Sequence, residues 1–173
     1  VETENNFPTA SGLASSASGF AALTQAAVAA TGLNISEKEL SKLARLGSGS
    51  ACRSIPDGFV EWQKGEDDNS SYAFSIFPQD YWDLSIIAVL VSDSEKKISS
   101  TKGHKLTKTS PFFPVRLEKI EKKVATIKQS IKMRNFLQFG QIVENESLEM
   151  HSIMLTSTPS LIYWQPETVG IMK

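Results

Sequence analysis

A run of small residues directly ahead of an alanine-rich segment constrains the fold of this chain most. Residues 8–16 read Pro-Thr-Ala-Ser-Gly-Leu-Ala-Ser-Ser. Gly12 gives access to backbone conformations that other residues avoid, and its small neighbours let a ligand approach the main chain. A helix that begins at Ser15 then presents free N–H groups and the positive end of its dipole to an anion. The pattern therefore predicts a phosphate-binding loop, with hydroxyl contacts from Ser15 and Ser16 to a phosphate or its metal ion.

The loop is not of the Walker type, because no lysine follows Gly12. Its order, Pro-x-x-x-Gly-Leu-x-Ser-Ser-Ala, resembles the phosphate loop of the superfamily of galactokinase, homoserine kinase, mevalonate kinase and phosphomevalonate kinase. The flanks, Asn-Asn-Phe-Pro-Thr-Ala before it and Ser-Gly-Phe-Ala-Ala-Leu after Ala17, resemble mevalonate diphosphate decarboxylase, an ATP-dependent member of that superfamily. Without these flanks, the same run fits an ordinary packed turn equally well.

A second block carries an arginine. Residues 47–54 read Gly-Ser-Gly-Ser-Ala-Cys-Arg-Ser and residues 58–62 read Gly-Phe-Val-Glu-Trp. Together they resemble the decarboxylase segment that holds the substrate carboxylate, which implies that Arg53 and Ser50 bind substrate. A guanidinium can bind a carboxylate through two parallel hydrogen bonds, which lysine does not reproduce. The alternative is an exposed or ion-paired surface arginine.

The chain departs from the family after this arginine. Ile-Pro-Asp at residues 55–57 replaces a bulky residue, an aromatic residue and a glycine. Proline fixes its own φ and restricts the residue before it, so the turn after Arg53 is open to a different shape.

Two later blocks keep the family order. Ile-Ser-Ser-Thr-Lys-Gly at residues 98–103 resembles the loop that would place Ser100 against the substrate diphosphate, although a solvated loop is the alternative. Met150-His151 and the segment 157–163 resemble the helix and turn that precede the last catalytic segment of the family.

The resemblance implies a function. ATP would phosphorylate the tertiary 3-hydroxyl of mevalonate 5-diphosphate, and loss of phosphate and carbon dioxide would give isopentenyl diphosphate for isoprenoid and sterol biosynthesis. The implied cofactors are ATP and Mg²⁺, and the implied assembly is a homodimer. Ser16 would contact the terminal phosphate or the metal, and Arg53 would act in catalysis by orienting the substrate. The residues expected to bind the nucleotide are Pro8, Ala10, Ser11, Gly12, Leu13, Ala14, Ser15 and Ser16.

Two other functions stay open. One is a relative that only phosphorylates the 3-hydroxyl or acts on the monophosphate. The other is a catalytically dead phosphate-binding module. The family also carries a Lys-Tyr-Trp-Gly-Lys stretch and an Asp-Ala-Gly-Pro-Asn loop with the catalytic aspartate, and neither occurs in these 173 residues. We therefore expect an interior fragment, nearly inactive by itself, because a general base typically contributes about 10²–10⁴-fold.

Composition excludes several classes of protein. A formal charge of −1 without a basic stripe argues against nucleic acid as a partner. The sequence has no signal peptide and no apolar run of membrane length, so we expect a cytoplasmic protein without a membrane partner. The single cysteine, Cys52, excludes an internal disulfide and fits a reducing compartment. We expect a buried thiol there and not a nucleophile, because neither histidine is near it in sequence.

Local patterns predict a mixed fold for residues 1–80. A helix from about Ser15 to Thr31 should end at a left-handed Gly32, and Ser36 should cap a second helix that stops at Gly47. Strands are expected at residues 59–64 and 72–77, joined across a polar turn.

The second domain is expected at residues 81–173. The apolar run 84–91 predicts a buried central strand. Apolar residues at three- and four-residue steps from Phe113 to Ile131 predict a helix, and Asn135 should cap the next one. The inward face of that next helix is predicted to comprise Phe136, Phe139, Val143, Met150 and Met154.

The resemblance implies the class of the whole. It is an α+β, two-domain fold of the small-molecule kinase superfamily, present here as a fragment. The first domain should be like the second domain of a ribosomal small-subunit protein, and the second should be ferredoxin-like.

Overall fold

The structure is a computed structural model that describes residues 1–7, 13–91 and 100–173. These residues form two compact units, the first containing residues 1–7 and 13–87 and the second residues 88–91 and 100–173. Helices and a β-hairpin occur together, which confirms the predicted α+β class. The domain boundary after residue 80 stays a prediction.

The first unit begins with two helices, of which the first is capped at its carboxyl end and the second at its amino end. Helix α1, Ser15–Thr31, ends at Gly32, whose φ of 69° is left-handed and whose N–H donates to the Ala29 carbonyl. Helix α2, Glu37–Gly47, begins at Ser36, whose side chain accepts from the Glu39 N–H. The predicted ends of α1 and the predicted Ser36 cap and Gly47 end of α2 are therefore confirmed.

A hairpin follows. Strand β1, Phe59–Trp62, pairs antiparallel with β2, Ala73–Phe77, with Trp62 opposite Ala73. Both strands lie within the predicted ranges. In the loop between them, the Asp67 carboxylate accepts the N–H of Ser70 at 2.8 Å. Hydrogen bonds from Ser70 hold the pKa of Asp67 below its usual value.

Small side chains build the core of the first unit. Ala21 of α1, Ala44 of α2, Ala51 and Ile55 form one buried cluster, with Leu40 packed against it. Ala51 belongs to a 3₁₀ helix, Gly49–Ser54, which we call the arginine segment. Because methyl groups meet in this core, α1, α2 and the arginine segment approach one another closely.

Helices dominate the described part of the second unit. They are α3 (Ser100–Leu106), α4 (Phe113–Lys132), α5 (Phe136–Leu155) and α6 (Pro166–Ile171), with a 3₁₀ turn at Thr107–Thr109. The predicted cap is confirmed, since the Asn135 side chain accepts from the Gln138 N–H at 3.1 Å. None of the helices in the described residues is both long and apolar enough to cross a membrane.

A network of charged side chains ties α4 to α5. Glu146 of α5 accepts hydrogen bonds from Arg116 and Lys123 of α4. Lys123 also donates to Glu149, one turn further along α5. The pairs are half-buried, so solvent screens them less than it would screen exposed pairs.

One prediction for residues 81–173 is wrong, and another is wrong in part. The run 84–91 is not a strand, and Ile86 and Ile87 are 93% and 86% exposed. A strand requires a neighbour for its backbone groups, and the sheet of the described residues contains only β1 and β2. On α5, Met154 is buried and Phe139 is half-buried as predicted, but Phe136 is 69% exposed and Val143 and Met150 are also exposed, because the apolar face extends beyond what α4 covers.

Candidate functional site

The end of the predicted phosphate loop leads into α1. Pro8, Ala10, Ser11 and Gly12 lie outside the described residues, so their predicted contacts stay predictions. Leu13 and Ala14 are described and exposed. Ala14 has left-handed backbone angles (φ 56°, ψ 43°) and provides no side-chain cap for the helix. Among the described residues, the amino end of α1 thus starts from a left-handed residue that supplies no capping side chain, and phosphate binding at this end stays a prediction.

The two loop serines lie in the first turn of α1. Ser16 is exposed and Ser15 is half-buried. The Ser15 carbonyl accepts a hydrogen bond from the Ser18 hydroxyl at 3.2 Å, and the Ala14 carbonyl accepts from the Ala17 N–H at 2.8 Å. The exposed Ser16 hydroxyl is thus accessible at the positive end of the helix dipole.

The described residues are compatible with a metal ion that is bound mainly by the phosphates of a nucleotide. Within the described ranges, no group of three or more His, Cys, Asp or Glu side chains could hold a metal. Mg²⁺ usually keeps several waters and is bound through substrate phosphates together with one or two carboxylates. A serine hydroxyl can supply one further contact, as it does beside an aspartate in P-loop nucleotidases, so a Mg²⁺ contact of Ser16 stays a prediction.

One buried serine fixes the arginine segment in place. Ser41 of α2 is fully buried, and its hydroxyl donates to the Cys52 carbonyl at 3.1 Å. The same oxygen accepts the Ala73 N–H of β2 at 2.9 Å. Ser41 therefore joins α2, the arginine segment and the hairpin through one atom. Sequence reasoning missed this residue, because nothing in its neighbourhood distinguishes it from a surface serine.

Arg53 projects from this fixed backbone into accessible space. Its side chain is exposed, and its guanidinium carbon lies 6.0 Å from the centre of the Trp62 ring. None of the ion pairs found among the described residues involves Arg53. Binding of the substrate carboxylate by this guanidinium stays a prediction. Ser50, predicted to bind substrate, is half-buried in the same segment.

The unusual turn after Arg53 is anchored in the core. Ile55 and Pro56 are both buried, and Ile55 belongs to the alanine cluster. Ile55 keeps helical backbone angles (φ −89°, ψ −55°) although the following proline disfavours them. The turn therefore combines a backbone conformation that proline disfavours with a side chain packed in the core.

Cys52 is a structural thiol. It is fully buried, and its Sγ donates to the Gly49 carbonyl at 3.0 Å. Burial raises its pKa, against the opposing effect of the nearby Arg53 and Arg45 charges. The neutral thiol is a poor nucleophile. The expectation of a buried cysteine is confirmed.

The remaining predicted residues lie in the second unit. Ser100 is the first residue of α3. His151 lies against Trp164 with ring centres 4.4 Å apart, and burial lowers its pKa. The structure thus brings Ser15, Ser16, Ser50 and Arg53 into one unit and places Ser100 in the other.

Two family models cover most of the chain. Residues 1–73 match the diphosphomevalonate decarboxylase-like N-terminal domain, and residues 86–173 match the mevalonate 5-diphosphate decarboxylase C-terminal domain. A diphosphomevalonate decarboxylase from Ganoderma lucidum is 42% identical over 168 residues, which are 94% of this chain and 42% of that protein. The chain spans about half the length of the curated relatives it matches.

Solved structures agree. A mevalonate diphosphate decarboxylase from Enterococcus faecalis is 40% identical, with a TM-score of 0.83 over 96% of this chain and 50% of that one. A structure described as MDDEF in complex with MVAPP, AMPPCP and magnesium is 42% identical, with a TM-score of 0.85 over 96% and 51%. This similarity confirms the predicted superfamily fold. On both its domain matches and its sequence identity, the chain belongs to the mevalonate 5-diphosphate decarboxylase family.

Proposed function

We propose that the protein containing this chain decarboxylates mevalonate 5-diphosphate in an ATP- and Mg²⁺-dependent reaction. The products would be isopentenyl diphosphate, ADP, phosphate and carbon dioxide. One observation carries the proposal beyond family membership: the arginine segment packs directly on α1 and α2. The helix that follows the phosphate loop and the arginine that would hold an acid therefore belong to one packed core.

The phosphate loop would bind the nucleotide. Backbone N–H groups near Gly12 and the amino end of α1 would face the phosphates, so that charge developing during transfer meets donors already in place. Ser16 would contact the terminal phosphate or Mg²⁺. Transfer of the phosphoryl group to the 3-hydroxyl turns a poor leaving group into a good one.

Arg53 would orient the substrate more than it would stabilise its carboxylate. An ion pair that binds the carboxylate equally well before and during its loss does not speed the reaction. The reaction is accelerated if the carboxylate is held opposite the leaving group and the 3-hydroxyl is held in line with ATP, because correct orientation lowers the barrier. Ser50 and Ser100 would bind the remaining polar groups of the substrate.

The cellular location, the oligomeric state and the pathway of the protein are proposals as well. We infer a cytoplasmic homodimer that serves isoprenoid and sterol biosynthesis. The single buried cysteine fits a reducing compartment. Light scattering coupled to size exclusion would test the dimer.

Product analysis tests the reaction. The product of the complete open reading frame that encodes this chain is incubated with MgATP and mevalonate, its 5-phosphate or its 5-diphosphate in turn. We expect carbon dioxide and ADP in equal amounts with the diphosphate. ADP without carbon dioxide would indicate a 3-kinase, and carbon dioxide from the monophosphate would indicate a phosphomevalonate decarboxylase. Ligand binding without ADP would indicate a dead module.

Two variants test the assigned roles. Ser16→Ala should lower kcat about 10²–10³-fold, the cost of losing one preorganised donor to the developing charge. Arg53→Lys should lose turnover as well, because the ammonium cannot form the paired hydrogen bonds. Near-normal turnover of either variant in the same carbon dioxide assay would refute the corresponding assignment.

A further inference from the structure

We propose that Trp62 is a positioning residue that aims the Arg53 guanidinium at the substrate carboxylate. The inference rests on the proposed function, because it concerns the same arginine. Its basis is that the indole faces the guanidinium and is itself held in place from two sides.

The first observation is the contact with the cation. The Arg53 guanidinium carbon lies over the Trp62 ring at 6.0 Å from its centre. This distance is at the outer limit of cation–π contact, for which tryptophan is the best partner. An exposed arginine otherwise samples many rotamers, so a ring beside it restricts where the charge can be.

The second observation is that the ring is fixed. Its Nε1–H donates to the Ser71 hydroxyl at 3.0 Å, across the hairpin. Trp62 is also the last residue of β1, directly paired with Ala73, which is buried and bonded to Ser41. The strand that carries the ring and the segment that carries Arg53 therefore share the same anchor.

The third observation is that the arginine segment makes room for the ring. A Cβ on Gly49 would lie 3.2 Å from Cη2 of Trp62, which is tighter than most real contacts. Glycine at this position lets the indole lie directly on the segment. Trp62 thus touches the beginning of the arginine segment and faces its cation.

The hairpin supplies a matched control. Tyr72 lies 4.3 Å from the Lys38 ammonium, which is the other cation–π contact found among the described residues. Tyr72 directly precedes β2, and its carbonyl still accepts the Gln63 N–H at 2.9 Å. The alternation of side chains therefore extends to Tyr72 and turns it away from the side occupied by Trp62, which pairs with Ala73. Tyr72→Leu therefore removes the same kind of contact from the same hairpin without touching Arg53.

The test uses the product of the complete open reading frame. The kcat and separate KM values for mevalonate 5-diphosphate and ATP are measured for the wild type, Trp62→Leu, Trp62→Phe and Tyr72→Leu. For Trp62→Leu we expect the KM of the acid to rise about two- to fivefold, the value of an exposed cation–π contact. A displaced guanidinium should also lower kcat, by up to about 10²-fold for a shift near 1 Å.

The pattern across variants separates positioning from a merely structural role. The KM for ATP should stay constant in Trp62→Leu, Trp62→Phe should recover part of the loss, and Tyr72→Leu should match the wild type. Equal changes in both KM values, no recovery in Trp62→Phe, or wild-type kinetics in Trp62→Leu would overturn the inference.

Two further measurements keep the test decisive. If Trp62→Leu fails to fold, Ser71→Ala frees the ring without removing it, and it should raise the KM of the acid in the same direction. Titration calorimetry with mevalonate 5-diphosphate makes the same comparison without turnover. A wild type that binds the acid but releases no carbon dioxide refutes only the proposed function, whereas unchanged binding in Trp62→Leu refutes only this inference.

Discussion

Replacing Ser41 with alanine should destabilise the first unit far more than its size suggests. The hydroxyl donates a hydrogen bond to the Cys52 carbonyl and accepts one from the Ala73 N–H. Ser41, Cys52 and Ala73 are all buried. In Ser41→Ala both backbone groups lose their partner in a place that water does not reach. An unsatisfied buried polar group costs about 1–3 kcal/mol, or about 2–6 kcal/mol for two, and because both groups lie beside the same side chain and can relax together we expect the lower part of that range, about 2–4 kcal/mol.

Ser130→Ala is the matched control. Ser130 is equally buried and also lies within a helix, but its hydroxyl donates to the Ile127 carbonyl one turn earlier in the same helix. Loss of the Ser130 hydroxyl leaves the Ile127 carbonyl inside the helix, where carbonyl groups accept backbone hydrogen bonds. We expect a cost below about 1 kcal/mol. Both substitutions gain the same helix propensity, so the difference isolates the bridging bonds.

Urea unfolding measures the difference. Tryptophan fluorescence gives the unfolding free energy of each variant, with Trp62 and Trp82 reporting on the first unit, which contains Ser41, and Trp164 on the second, which contains Ser130. A loss of about 2–4 kcal/mol corresponds to a shift of roughly 30- to 700-fold in the unfolding equilibrium. If Ser41→Ala and Ser130→Ala differ by less than about 0.5 kcal/mol, the bridging role of Ser41 is wrong.

Two other predictions concern backbone and charge. Gly58→Ala should cost more than the roughly 1–2 kcal/mol of a left-handed alanine, since φ is 76° and the new Cβ would meet the Phe77 carbonyl oxygen at 2.3 Å. Gly32→Ala, with φ of 69° and open space, should cost only that strain, and thermal unfolding of both variants compares them. Burial tends to raise the pKa of Glu146, but hydrogen bonds from Arg116 and Lys123 outweigh it and hold the pKa below its usual value. The stabilisation is therefore present above the pKa of an unfolded glutamate and lost as the pH falls through the lower pKa of the folded state, so Glu146→Gln should flatten the acid branch of melting temperature against pH. An unchanged acid branch would contradict this.

Signals confined to a few residues predicted structure well. The Gly32 end of α1 and the Ser36 and Asn135 caps depend on backbone groups within one turn, and all three are present. The hairpin ranges were predicted for the same reason, because the polar turn at residues 65–71 sets which residues pair. Such signals require no knowledge of the rest of the chain.

Features that depend on distant partners were missed or wrong. The run 84–91 has the composition of a buried strand, but composition supplies no neighbour to pair with it. Ser41 joins residues 11 and 32 positions away, and no local pattern marks it. For the site, the resemblance supplied Arg53, whereas the role of Trp62 became visible only when the ring and the guanidinium were seen together.

The core of alanine methyl groups beneath the arginine segment limits the substitutions that the protein can accept during evolution. Ala21, Ala44 and Ala51 have no side-chain torsion with which to absorb added volume. A valine at any of them would push on the backbone instead, and overpacking of this kind moves main chain as well as side chains. The guanidinium would then be displaced by a mutation that never touches a ligand. Selection on catalysis should thus hold three interior alanines constant, as strictly as it holds the residues that contact substrate.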